Sequence, residues 1–171
     1  MFKKVVALLC ATVMIAIPTF AANSPTTIYN SINGTAKVSA ATPKEDSLTV
    51  AVATELVEKI TEGDSENSFY DAVKDTVDAY AALGEEITIE GDIEDLKGKT
   101  PIESEPFSHR VEEPGTMTFE ADSFDKETEK PVIVVIDDEG KVIGIYNITF
   151  DEENNCWTVD IGLVGFFTIA V

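Results

Sequence analysis

Between Pro131 and Val171 the chain reads PVIVVI, DDEG, KVIGIYNITF, DEENN, CWTVDI and GFFTIAV, so apolar segments of strand length alternate with two compact acidic turns. Val, Ile, Phe, Thr, Tyr and Trp suit a pleated, half-buried surface, which makes this stretch a run of strands. In CWTVDI the period is 2: Trp157, Val159 and Ile161 share one face, and Cys156, Thr158 and Asp160 share the other. One face is core and the other is wet. Gly140 supplies a positive φ after Asp138 and Glu139, and the Asn residues of the Asp151 to Asn155 loop tolerate the left-handed region. Both turns suit hairpins, and consecutive antiparallel pairing is the expected arrangement.

The N-terminal residues set the compartment. Lys3 and Lys4 precede an apolar run from Val5 to Ile17, and Pro18-Thr19-Phe20-Ala21 follows. This is the pattern of a secretory signal peptide over residues 1–21 with cleavage after Ala21. The apolar run is about thirteen residues long, whereas a membrane span needs roughly 20. Leu9 precedes Cys10 where a lipidation site needs a small side chain, so a lipid anchor is not expected.

Cleavage leaves Ala22 to Val171, about 150 residues, enough for one ordinary domain or two small ones. Without Lys3 and Lys4 there are 32 acidic residues against 10 basic ones, a net charge of about −22. Such a surface repels phosphate backbones and anionic lipid, so nucleic acid and membrane surfaces are set aside as partners. Only Cys156 then remains, which excludes an intrachain disulfide and makes the fold depend on its core. A small packed residue at a strand start is the favoured reading of Cys156, and an intermolecular disulfide is the less favoured one.

Along the chain, residues 22–44 are rich in Ser, Thr, Asn and Ala and form a polar leader, with a hairpin signal at Asn33-Gly34. Residues 45–85 have helical periodicity. Val52, Leu56 and Ile60, with Ala53 and Val57, line one face of a helix over 47–62 that ends at Gly63, and its first turn, Leu48 to Val52, suits a strand equally. A second helix starts at Ser68 as N-cap, carries Phe69, Val73, Val77 and Tyr80 on its stripe and stops at Gly84. The short connection between them predicts an αα-hairpin. From residue 86 the period returns to 2, with Ile87 and Ile89, then Phe107, His109 and Val111, then Met117 and Phe119 facing inward. Gly91 to Pro106 reads as a polar connector. The expected fold is α+β: an N-terminal αα-hairpin followed over 86–171 by an antiparallel, Ig-like β-sandwich of about seven strands.

Chemistry is harder to find. His109 is the one histidine, and no nucleophile motif accompanies it, so a satisfied structural role is favoured. One His and one Cys fall short of a zinc site. Gly-rich phosphate loops are absent from the sequence. Ca²⁺ is the single ligand worth considering, because Asp137, Asp138 and Glu139 and, in the next turn, Asp151, Glu152 and Glu153 place hard oxygen donors on loops. Acidic turns are more often simply solvated, and no other cofactor is expected. Tyr146 and Trp157 are sugar-binding types, but their alternation with polar residues assigns them to the core.

KGKTPIESEPFSHRV, PGTMTFEA, the strand pair, the Trp strand and the closing GFFTIAV, together spanning Leu96 to Val171, resemble a β-sandwich module found at the C-terminal end of secreted and surface proteins of Gram-positive anaerobes. Pro106-Phe107 and Trp157 match its pattern, whereas Val164-Gly165-Phe166 stands where that module has a Ser-Pro pair. The resemblance implies a non-catalytic extracellular module with no catalytic residues to carry over. The sequence therefore leads to a secreted, non-enzymatic structural or interaction module of the bacterial cell envelope, whose partner is an envelope protein or a glycan. The alternative is an extracellular module that binds Ca²⁺ or cell-wall glycan.

Overall fold

A computed structural model describes residues 24–41, 68–84, 88–103 and 106–171. The segment 1–21 and the helix expected over 47–62 lie outside the described residues, and with them the first arm of the αα-hairpin. The described elements are α1 (Pro25–Asn30), β1 (Asn33–Gly34), β2 (Lys37–Ala40), α2 (Ser68–Ala82), a 3-10 turn (Ile93–Leu96), β3 (His109–Glu113), β4 (Gly115–Phe119), β5 (Val132–Ile136), β6 (Val142–Asn147), β7 (Thr149–Asp151), β8 (Cys156–Ile161) and β9 (Gly165–Ala170). Two helices and nine strands, all paired antiparallel in two sheets, make an α+β fold with a sandwich-like arrangement. No helix among the described residues is long and apolar enough to cross a membrane.

Both acidic turns close hairpins, and the aspartate that opens each one explains how. Asp137 Oδ1 accepts from the backbone N–H groups of Glu139 and Lys141, each at 2.9 Å, and Gly140 takes φ 80°. Asp151 Oδ1 accepts from Glu153 N at 2.9 Å and Asn154 N at 3.0 Å, and Asn155 takes φ 50°. These are Asx turns, in which a side chain supplies the acceptor that a backbone turn would otherwise provide. β5 thus pairs with β6, and β7 with β8.

Within Pro131 to Val171 consecutive pairing stops there. The sheets run β1-β4-β8-β7 and β2-β3-β9-β5-β6, so the two hairpins belong to different sheets and the chain crosses between them at Ile148. β9 does not add beside β8 but enters the second sheet between β3 and β5. Asn33-Gly34 is likewise no hairpin. Gly34 pairs with Met117 of β4, and the chain then turns a corner into β2, which joins the other sheet beside β3. Thr35 N and Ala36 N both donate to Thr116 O, at 2.9 and 3.1 Å, which pins the corner to β4. Gly34 has φ 116°, and a Cβ there would lie 2.1 Å from Thr116 O, so the corner requires glycine. Residues 24–41 of the polar leader are therefore part of the fold and supply an edge strand to each sheet.

Burial explains the apolar runs. One core fills the space between the sheets: Met117, Phe119, Trp157, Val159 and Ile161 from the first sheet meet Val111, Ile133, Val135, Phe167 and Ile169 from the second, with Ile28 and Tyr29 of α1. A second core lies on the opposite face of the five-stranded sheet, where Val132, Val134, Ile136, Val142, Ile145, Phe166 and Ala170 pack against Phe69, Ala72 and Val73 of α2 and Leu96 of the 3-10 turn. β5 and β9 are consequently buried at every position, while β8 keeps the strict alternation of a strand with one wet face. Each fully buried Val, Ile or Phe contributes roughly 1.5–3 kcal/mol, and β5 and β9 do so on both sides of the sheet.

Two local expectations change. Phe107 does not share a face with Val111: it precedes β3 with φ 64° and sits in the α2-side core, fully buried. Of the strand expected at Ile87 to Ile89, Ile87 lies outside the described residues and Ile89 is in no strand; the next residue, Glu90, makes an isolated parallel bridge to Gly144, which covers part of the β6 edge. Within the supposed connector, Asp92 caps the 3-10 turn by accepting from Glu94 N at 2.9 Å, and Leu96 is fully buried.

Candidate functional site

Acid, hydroxyl and imidazole side chains converge where the edge of β9 changes partner. β3 pairs with β9 from Gly165 to Phe167. Residues 100–102 then take over the same edge, with Ile102 N donating to Ile169 O at 2.9 Å and Val171 N to Thr100 O at 3.0 Å. At the changeover the Ile169 N–H donates to the Tyr29 hydroxyl at 3.0 Å, and that hydroxyl in turn donates to Glu103 Oε1 at 2.8 Å. Tyr29 thereby plugs the step between two edge partners.

Glu103 gathers the remaining groups. Thr168 Oγ1 donates to its Oε1 at 3.2 Å and Ser108 Oγ to its Oε2 at 3.1 Å, with the side chain only 11% exposed. His109 stacks on Tyr29 with ring centroids 3.9 Å apart and 7° between planes, and its Nδ1 lies 3.0 Å from Ser108 Oγ and 3.7 Å from Glu103 Oε2. Burial pushes the Tyr29 hydroxyl well above its ordinary pKa, and the neighbouring Glu103 charge pushes it further. Burial also lowers the pKa of His109, which favours the neutral imidazole.

Proton directions decide what this cluster can do. When the single Ser108 proton is given to Glu103, the contact between Ser108 and His109 takes Nδ1–H as its donor. A serine nucleophile needs the opposite flow, with imidazole taking the hydroxyl proton. In that arrangement Ser108 is not activated. The arrangement satisfies a buried carboxylate with three hydroxyl donors and fixes α1 to the β9 edge.

The two acidic turns belong to different sheets, that of Asp137 joining β5 to β6 and that of Asp151 joining β7 to β8. Ile136 pairs with Phe166 just beyond the exit of β8, whereas the Asp151 turn lies at the entry to β8, so the two turns flank opposite ends of that strand. Asp137 and Asp151 direct an oxygen at their own turn's backbone. Asp138 receives both terminal nitrogens of Arg110, at 2.5 and 3.3 Å, and that guanidinium lies 4.8 Å from the Phe166 ring centre. Glu139 pairs with Lys141 at 2.7 Å, while Glu152 and Glu153 are exposed. Among the described residues no group of three or more His, Cys, Asp or Glu side chains is placed to hold a metal ion.

Trp157 is buried, donating its indole N–H to Ala121 O at 3.3 Å. Tyr146 is half-buried, with its hydroxyl on Glu90 Oε2 at 2.5 Å. Cys156 is a half-exposed free thiol on the outer face of the first sheet, opposite Asp151. His109 was identifiable in the sequence as an inward-facing single histidine. Glu103, Ser108 and Tyr29 were not, because their meeting spans 74 residues of chain and no spacing marks it. No protein-family model, curated protein or solved structure matches the chain.

Proposed function

We propose that the chain is a secreted, non-catalytic structural or interaction module of the bacterial cell envelope. The observation that carries this reading is the Glu103 cluster: its acid, hydroxyls and imidazole are engaged in fastening α1 to β9, with proton directions that suit a joint and not a nucleophile. The basic start and apolar run of residues 1–21 support export, and the Trp-bearing C-terminal module supports an extracellular setting. In the same reading residues 86–171 form an Ig-like sandwich, and α2 is the second arm of a helical hairpin over 45–85.

The test is expression of the full chain in a Gram-positive host, followed by fractionation and intact-mass measurement. Recovery from medium or envelope with a mass beginning at Ala22 is expected, and retention of the full-length mass in the cytosol would overturn the reading. Thermal unfolding of the exported protein, with Ca²⁺, with chelator and with cell-wall sugars, separates it from a ligand-binding module. A ligand specific to the folded state raises the midpoint, so a saturable rise would replace the structural reading with the binding one.

A further inference from the structure

Residues 24–41 form an arm held along sheet edges and by the buried side chains of Ile28 and Tyr29. β1 lies on the edge of the first sheet beside β4, β2 lies on the edge of the second beside β3, and Tyr29 reaches in to Glu103 and Ile169. Every acidic residue of the chain follows Lys44. Residues 22–44 therefore carry Lys37 and Lys44 and no acid, whereas 45–171 holds eight basic residues against 32 acidic ones, about −24. Arm and body have opposite charge, and Lys37 meets Glu113 at 2.5 Å.

The tether from the arm to α2, residues 42–67, lies outside the described residues, and a chain of that length spans at most about 90 Å. Without an arm the body would present Glu103 and His109 beside a β9 edge amide whose partner has gone.

We propose that this arm is exchanged between copies of the chain, so that Tyr29 of one molecule seats against Glu103 and His109 of the next. Identical contacts form within or between molecules, so the outcome depends on concentration and on the tether. The acid-free arm also gives two bodies of like charge one surface through which they attract. Exchange links molecules through the site itself, which is incomplete until an arm fills it.

The experiment uses the full chain with Cys10→Ser and Cys156→Ser. Two variants of it carry either Lys37→Cys or Glu113→Cys, positions that are partners across β2 and β3. The two variants are unfolded in urea, refolded together at high concentration, oxidised and separated without reductant. A disulfide joining position 37 of one chain to position 113 of the other is expected above the statistical share, and its excess is lost when the Lys37→Cys chain also carries Tyr29→Ala. A statistical mixture, or an excess that survives Tyr29→Ala, overturns the proposal. A double variant, Lys37→Cys with Glu113→Cys, must close within one chain at low concentration. Failure to close overturns the proposal too, because the seat would then lack the register on which exchange depends.

Discussion

Replacing Tyr29 by Phe removes one oxygen and leaves the ring, its stack on His109 and its volume in place. Two partners lose their counterpart at once: Glu103 loses a donor, and the Ile169 N–H loses its acceptor. A hydrogen bond to a charged group is worth about 1.5–3 kcal/mol, and a buried amide left unpaired costs about 1–3 kcal/mol. Together the loss should be about 3 kcal/mol, a large share of the roughly 5–15 kcal/mol that holds a domain folded. Equilibrium urea unfolding can follow the single Trp157, which is 4% exposed and packed in the central core. With a slope of about 2 kcal/mol per molar urea, the midpoint should fall by about 1.5 M at unchanged slope. Glu103→Gln and the double variant complete a cycle whose coupling should be about 1 kcal/mol or more. A midpoint shift below about 0.3 M, or a coupling near zero, would show that the Tyr29 hydroxyl does not hold the joint.

Three further outcomes follow from positions elsewhere. Gly34→Ala should cost about 3 kcal/mol or more by urea unfolding, because φ is 116° and the new Cβ would overlap Thr116 O. Gly84→Ala, at φ 81° with nothing within 4 Å, should cost only about 1–2 kcal/mol, and equal losses at the two sites would refute the corner at Gly34. His109 has its pKa lowered below the ordinary 6.5 by burial, so the unfolded chain binds the proton more readily than the folded one. The stability this contributes is full above about pH 6.5 and declines as pH falls toward the folded value; His109→Gln should lack that decline, and matching profiles would refute it. Asp151 has its carboxyl held below the usual range by the Asn154 side chain and backbone. Its contribution is present above the ordinary value of 3.8 and is lost as pH falls through the lower folded value, so an NMR titration of Asp151 should report a depressed pKa that Asn154→Ala raises.

Much of the sheet was legible in the sequence because local chemistry dictates it. CWTVDI alternates and does so in the fold, and the turns at Asp137 and Asp151 close as their Asp, Asn and Gly residues require. PVIVVI and GFFTIAV do not alternate, and the structure supplies the physical meaning: a strand with a layer on each side has no wet face to mark with polar residues. Asn33-Gly34 correctly signals a left-handed glycine, but the partner that requires it is β4, more than eighty residues further along. Strand order and the Glu103 joint were illegible for the same reason. Both are made by residues distant in sequence, and a single chain carries no local trace of which edge will meet which.

β9 has a consequence for the order in which this molecule can assemble. It lies between β3 and β5, contributes side chains to both cores, and is synthesised after every other described strand. Until it arrives, β3 and β5 each present an open edge, and neither core can close. The described strands are therefore held from their native arrangement until β9 is made, with apolar faces uncovered. The last of these strands to emerge is thus the one that commits the others, because both open edges wait for the same partner.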